Sequence, residues 1–159
     1  MMLDIILYQP QIPPNTGNII RLCANAGARL SLIGPLGFDL EIKSLRRAGL
    51  DYHDLAACRQ FDDWAHFMAE APPKRLFAIT KFGATNYSDA RFQAGDALLF
   101  GSETAGLPPE IRDNLPDGMR LFLPMRPDNR SLNLSNAVAI VLYEAWRQLD
   151  FEGHVGFSD

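Results

Sequence analysis

Apolar residues in this chain fall in short blocks separated by polar stretches rich in glycine and proline. Leu3–Tyr8 and Arg29–Gly34 are mostly apolar runs of the length expected for buried strands. Leu76–Thr80, Ala97–Gly101 and Arg120–Leu123 read as further short strands. The spacing predicts a helix over Thr16–Gly27: Pro13 and Pro14 precede it, Asn15 or Thr16 can cap its start, and Gly27 can end it. Helices are also expected over Phe61–Glu70 and Leu134–Leu149. Strands alternating with helices imply an α/β fold, a mainly parallel sheet flanked by helices. Ligands of such sheets sit beyond the carboxyl ends of the strands, which directs attention to the loops after Tyr8, Thr80, Gly101 and Leu123. The last helix is apolar nearly all round over Ala137–Leu142, so it is buried on more than one side, either within one domain or against a second copy of the chain.

A length of 159 residues fits a single domain spanning 1–159. With 47% hydrophobic and 21% charged residues, the chain is neither disordered nor fibrous. No apolar run approaches the ~20 residues of a membrane span, and MMLDIILYQP lacks the basic and small-residue features of a signal peptide. Cys23 and Cys58 stand alone, without the spacing of a disulfide framework or zinc site, so a reduced, cytoplasmic setting without a membrane is expected. His53, His66 and His154 are dispersed and no carboxylates pair at metal spacing, so no metal is expected. A net charge of −4 disfavours a broadly basic nucleic-acid coat, yet 12 of the 15 basic residues are arginine, whose planar fork suits phosphate. Composition permits RNA binding without arguing for it.

Three segments stand out chemically. In Asn15–Ala28, helical geometry puts Asn18, Arg21 and Asn25 on one face of an otherwise apolar helix. Such a stripe either meets surface partners or faces a cleft. In Leu98–Pro108, an apolar strand runs into Gly101, Glu103, Gly106 and a Pro108-Pro109 pair that opens a short helix. The segment has neither the Gly-Lys-Ser/Thr ending of a P-loop nor the GxGxxG spacing of a dinucleotide site. A tight turn explains its glycines as well as a ligand does. In Leu123–Ala137, Ser131, Asn133, Ser135 and Asn136 crowd six positions. Helix capping accounts for Ser135 and Asn136, but not for Arg126, Arg130 and Ser131 beside them, which suit a phosphate-bearing ligand.

Taken together, Asn15 with Arg21, then Gly101-Ser102-Glu103-Thr104-Ala105-Gly106-Leu107-Pro108, then Ser131-Leu132-Asn133-Leu134-Ser135-Asn136-Ala137 resemble the three signature motifs of the SpoU branch of the SPOUT methyltransferases. The stretches LYQPQIPPNTGNIIRLCANAG, RRAGLDYHDL and YEAWRQL extend the resemblance over essentially the whole chain, toward the small single-domain members without an RNA-binding extension. The resemblance implies 2′-O-methylation of the ribose of the tRNA wobble nucleotide, cytidine or modified uridine, with S-adenosyl-L-methionine as donor. It implies a C-terminal trefoil knot, which physical rules alone would not suggest, and a homodimer. By position it assigns donor contacts to Phe77, Ala78, Ile79 and Thr80, to Gly101 and Glu103, and to Leu123, Met125, Ser131, Leu132 and Asn133. Catalytic roles fall to Arg21, Asn15, Glu103, Ser131 and Asn133, with Arg21 of one subunit facing the donor of the other.

Methyl transfer from a sulfonium is an in-line displacement, needing alignment at ~3–3.5 Å and loss of the hydroxyl proton. A charged guanidinium holds its proton to a pKa above ~12 and has no acceptor, so Arg21 is expected to orient the ribose and stabilise developing negative charge rather than to act as base. Lys43, Arg46 and Arg47, near Tyr52 and His53, and Arg126 with Arg130 beside the third motif are the candidate RNA contacts. The alternatives are another tRNA site, ribosomal RNA, or an RNA-binding protein that has lost the reaction. A hydrolase is disfavoured because no Gly-x-Ser-x-Gly elbow is present.

Overall fold

The computed structural model describes residues 2–38, 46–47, 49–129 and 131–156, the side chain of Tyr52 excepted. Along the chain run β1 (Asp4–Tyr8), α1 (Pro13–Ala26), β2 (Arg29–Ile33), α2 (Tyr52–Leu55), β3 (Cys58–Phe61), α3 (Trp64–Glu70), β4 (Leu76–Ile79), β5 (Thr85–Asn86), β6 (Ala97–Phe100), α4 (Pro109–Arg112), β7 (Arg120–Phe122) and α5 (Leu134–Gln148). The strands form one sheet in the order β3-β2-β1-β6-β4-β7-β5, and every pairing is parallel. The fold is thus α/β as expected. Parallel strands buried on both faces read as continuous apolar runs, and β6, Ala-Leu-Leu-Phe, is buried at every position.

Side chains alternate between the two faces of the sheet. Ile5, Leu7, Leu30, Leu32, Leu98 and Phe100 meet Ile19, Ile20 and Cys23 of α1 and Val138, Val141 and Leu142 of α5. Ile6, Ile33, Ala78 and Leu99 face the other way, toward Phe61, Phe67 of α3 and Leu107. Burial pushes the Cys23 thiol up to about 12, with Cys58 nearby adding to the effect, and the Cys58 thiol up to about 11. Both cysteines therefore behave as apolar core residues.

Four differences from the sequence expectation are instructive. Helix α1 begins at Pro13, so the two prolines lie inside its first turn, where a missing N–H costs nothing, and Asn15 and Thr16 are buried residues of the helix rather than its caps. Gly27 does end it, in the left-handed conformation at φ 70°. Phe61 belongs to strand β3, and α3 starts later, capped by Asp63, whose side chain accepts from the backbone N–H of His66 at 2.8 Å. Asn133 caps α5, with its Oδ1 accepting from the N–H groups of Ser135 and Asn136, so Ser135 and Asn136 are capped rather than capping. The short β5 is an addition that a two-residue polar strand could not signal.

Strand β7 lies between β4 and β5, which are consecutive in the chain. The connection 80–84 must therefore straddle β7. Thr80 N–H donates to Leu121 O and Ala84 N–H to Arg120 O, both at 2.9 Å, so the backbones cross in contact. Gly83 is the closest point: a Cβ there would lie 2.4 Å from the Leu121 carbonyl carbon and 2.6 Å from the Phe122 nitrogen. Backbone on both sides leaves no flexible atom to yield. Gly83→Ala is expected to lower stability by about 1–3 kcal/mol, seen as a fall of roughly 2–12 °C in Tm. An unchanged melting curve would contradict the close crossing.

Candidate active site

All four loops picked out by the strand ends converge on one cavity of about 410 Å³. Its walls come from Ile12 and Asn15 after β1, from Ile79–Phe82 after β4, from Phe100–Leu107 after β6, and from Leu123, Met125 and Ser131–Leu134 after β7, with Arg112 of α4 and Ala137 of α5. This is the carboxyl edge of the sheet, where strand ends and helix starts leave a crevice.

The loop after β6 is shaped by its own backbone. Gly106 N–H donates to Ser102 O at 3.1 Å, and Ala105 N–H to the buried Ser102 Oγ at 3.0 Å, closing a tight turn. Gly101 is required there, since a Cβ would lie 2.3 Å from the Gly106 carbonyl carbon. Gly106 takes φ 66°, open to glycine at little cost.

That turn presents Glu103 to the start of α1. Residue Ile12, the N-cap, has no side-chain acceptor to offer. Glu103 supplies one from far along the chain: Oε1 accepts from Gln11 N–H at 2.9 Å and Oε2 from Ile12 N–H at 2.7 Å. Asn15 Nδ2 donates to the same Oε2 at 3.3 Å, and Asn133 Nδ2 donates to Asn15 Oδ1 at 3.0 Å. Asn133 in turn caps α5 through Oδ1. Thr104 Oγ1 completes the join by donating to Gln11 Oε1 at 2.6 Å. One polar network thus ties together the first turn of α1, the loop after β6 and the start of α5.

Of the expected catalytic and donor-binding residues, Asn15, Ile79, Thr80, Gly101, Glu103, Leu123, Met125, Ser131, Leu132 and Asn133 line the cavity. Phe77 and Ala78 do not; they are buried beneath it on opposite faces of the sheet, Phe77 against Phe92 with ring centroids 5.1 Å apart. Arg21 also lies off the cavity. It is exposed on α1, and its guanidinium donates to the Gly49 carbonyl. Gly49 N–H donates to Arg46 O at 3.0 Å, so the Arg21 guanidinium reaches the turn that carries the exposed Arg46 and Arg47. Arg126 is exposed beside Asn129, whose Nδ2 donates to the Arg126 carbonyl. Lys43 and Arg130 fall outside the described residues. The cavity residues that sequence patterns did not single out are chiefly Lys81, Phe82 and Arg112.

The model of the SpoU rRNA Methylase family matches residues 2–143. The chain belongs to this family. It is 58% identical over 154 residues to the tRNA (cytidine(34)-2'-O)-methyltransferase of Methylovorus glucosotrophus (strain SIP3-4), covering 97% of this chain and 100% of that protein. It is 55% identical to the enzyme of the same name from Escherichia coli (strain K12), covering 97% and 98% of the two chains. Among solved structures, one described as giving insights into the 2-OH methylation of C/U34 on tRNA superposes with a TM-score of 0.84 at 46% identity, covering 94% of this chain and 91% of that one. The SpoU methyltransferase AviRb from Streptomyces viridochromogenes in complex with the cofactor AdoMet gives 0.78 at 28% identity, covering 94% of this chain and 58% of that one.

The SpoU family assignment matches the chemistry of the cavity wall. Ile79, Leu123, Met125 and Leu132 provide apolar surface for a heterocycle, while Thr80, Ser131 and Asn133 provide short polar groups. Glu103 is the only acidic side chain on the lining among the described residues, which also carries the cations Lys81 and Arg112. No group of His, Cys, Asp and Glu among the described residues gathers three strong for a metal.

Asn133 both caps α5 and links it to α1, so its two roles are separable. Asn133→Ala is expected to cost about 0.5–2 kcal/mol, a fall in Tm of roughly 1–8 °C. Asn133→Asp keeps the cap and is expected to retain most of that stability while losing the donor to Asn15. Equal melting temperatures for wild type and Asn133→Ala would mean that the cap contributes nothing.

Proposed function

We propose that this chain methylates the ribose 2′-hydroxyl of the nucleotide at position 34, cytidine or modified uridine, in the anticodon loop of tRNA, with S-adenosyl-L-methionine as the donor. The observation that carries the reading is the near-complete coverage at 55–58% identity by relatives named as 2'-O-methyltransferases of tRNA cytidine 34. A cavity assembled from all three motif segments supports it. The bound donor supplies an electrophilic methyl group on a sulfonium. The ribose oxygen would take that methyl group by in-line displacement of the thioether product, and the hydroxyl proton would leave to solvent.

The chain's own groups align and polarise. Glu103 holds its carboxylate against two backbone N–H groups and Asn15, a rigid arrangement that favours the cationic donor within the cavity. Ser131 and Asn133 offer short polar groups beside it. Arg21 is the proposed orienting group for the ribose and its phosphate, stabilising negative charge that develops on oxygen.

Helix geometry bears on which cavity Arg21 serves. It stands six residues beyond Asn15, about 9 Å along the axis and turned by roughly 120°. Asn15 points into its own cavity, so Arg21 of the same copy is directed elsewhere. A homodimer in which Arg21 faces the partner's cavity accounts for this. The exposure of the apolar Ile140 and Tyr143 on α5, away from its buried stripe, also favours a second copy. The trefoil knot is supported by the crossing of 80–84 over β7. A cytoplasmic location follows from the proposed substrate, and no helix among the described residues is long and apolar enough to cross a membrane.

Nucleoside mass spectrometry of RNA from a strain lacking the gene is expected to show loss of a 2′-O-methyl mark at tRNA position 34; loss from ribosomal RNA instead would overturn the choice of substrate. With the purified protein, Arg21→Lys is expected to lower methyl transfer roughly a hundredfold while donor affinity persists. Near-normal turnover would remove the need for a guanidinium fork.

A further inference from the structure

The exposed apolar side chains are not scattered evenly. Four of them, Phe82 at 52% exposure, Met125 at 43%, Ile12 at 42% and Leu132 at 40%, come from three loops yet border the same cavity. Isolated exposed apolar residues need no explanation; a group around one opening does.

Phe82 is also held in place. Arg112 Cζ lies 4.0 Å from its ring centroid and Lys81 Nζ lies 5.2 Å from it. The Arg112 side chain is only 18% exposed and pairs through Nε with Asp113 Oδ1 at 3.1 Å, so it forms a fixed backing. On the backbone, Phe82 N–H donates to Thr80 Oγ1 at 3.2 Å and Gly83 N–H to Thr80 O at 3.0 Å, just where Gly83 wedges against β7. A ring with a guanidinium beneath it, more than half its surface in solvent and its backbone fixed is a preorganised flat surface.

We infer that the solvent-facing side of Phe82 is a stacking platform for an unpaired nucleobase of the substrate RNA, next to the nucleotide being methylated. This rests on the function proposed above. The donor has apolar walls of its own in the half-buried Ile79 and Leu123, inside the cavity, whereas Phe82 stands on the rim. The two cations beside the ring suit a polyanion. Aromatic stacking with flanking cations is how proteins hold unpaired bases, and an anticodon loop supplies them.

The test compares wild type, Phe82→Leu and Phe82→Trp. The readouts are steady-state methylation of an anticodon stem–loop, calorimetry with S-adenosyl-L-homocysteine, and sedimentation. Phe82→Leu keeps apolar bulk but loses the aromatic face, and it is expected to raise the KM for RNA roughly 5- to 100-fold, with kcat and the Kd of the donor product within about twofold of wild type. Phe82→Trp is expected to restore KM, and its fluorescence to be quenched by the RNA but not by the donor product alone. An unchanged KM in Phe82→Leu, an equal loss of donor-product affinity, or a change in oligomeric state would each overturn the inference. A wild-type protein that binds the donor product but neither binds nor methylates the stem–loop would instead remove the proposed function, and this inference with it.

Discussion

The first turn of α1 cannot satisfy itself. Its cap residue is Ile12, its first two positions are prolines, and no side chain of its own accepts from the amides that lead into it. Glu103 resolves this from 91 positions away, taking the N–H groups of Gln11 and Ile12 on its two carboxylate oxygens. Charge-assisted bonds of this kind contribute about 1.5–3 kcal/mol each where they are shielded, less where water competes, and a negative charge at a helix N-terminus adds to them. Both backbone bonds are exposed, so the join lies toward the low end of that range. Extended through Asn15 and Asn133, it fixes the start of α5 relative to the start of α1. Glu103, Asn15 and Asn133 are therefore positioning residues before they are anything else, since each is engaged in building the cavity wall.

The sheet gives that join its location. In a parallel sheet every strand ends on the same edge, so loops from distant parts of the chain are delivered to one side. Two of those loops are held by close backbone passages: Gly101 against the Gly106–Leu107 backbone, and Gly83 against Leu121 and Phe122. Both are contacts without room for a Cβ, and both are made by residues that flank the cavity. The connection over β7 bonds to it at each end, through Thr80 and Ala84. A wall built from crossing backbones has few side-chain rotamers to lose on ligand binding, which reduces the ordering cost of filling it.

Much of this was legible in the residues. Apolar blocks located five of the seven strands, and strand–helix alternation gave the parallel sheet and its ligand edge. What escaped had specific causes. Cys58–Phe61 contains Arg59 and Gln60, so β3 lacks an apolar run; Arg59 is accommodated by donating to Ser31 Oγ at 3.0 Å across the pair. Prolines 13 and 14 read as a break before α1 because nothing local reveals that Glu103 will serve as its cap. For Phe77 and Ala78, alternation along β4 turns the side chains into the two cores, so only their backbone is left to meet a donor. Phe82 and Arg112 are 30 positions apart, and only the fold brings a ring over that guanidinium.

Arg21 presents the sharpest separation between motif and geometry. It shares a helix with Asn15, yet the helix carries it away from the cavity that Asn15 lines, toward Gly49 and the segment bearing Arg46 and Arg47. If Arg46 and Arg47, exposed on that segment, serve with Arg21 as proposed, they extend it into a basic surface for a phosphate backbone. On the proposed reading, the cation that orients the ribose and the carboxylate that favours the donor belong to different copies. Each copy then contributes half of two sites, and RNA lying across the junction touches the donor side of one and the basic side of the other. Such a division lets a chain with a net charge of −4 hold RNA without a basic domain of its own, because only the junction needs to be cationic.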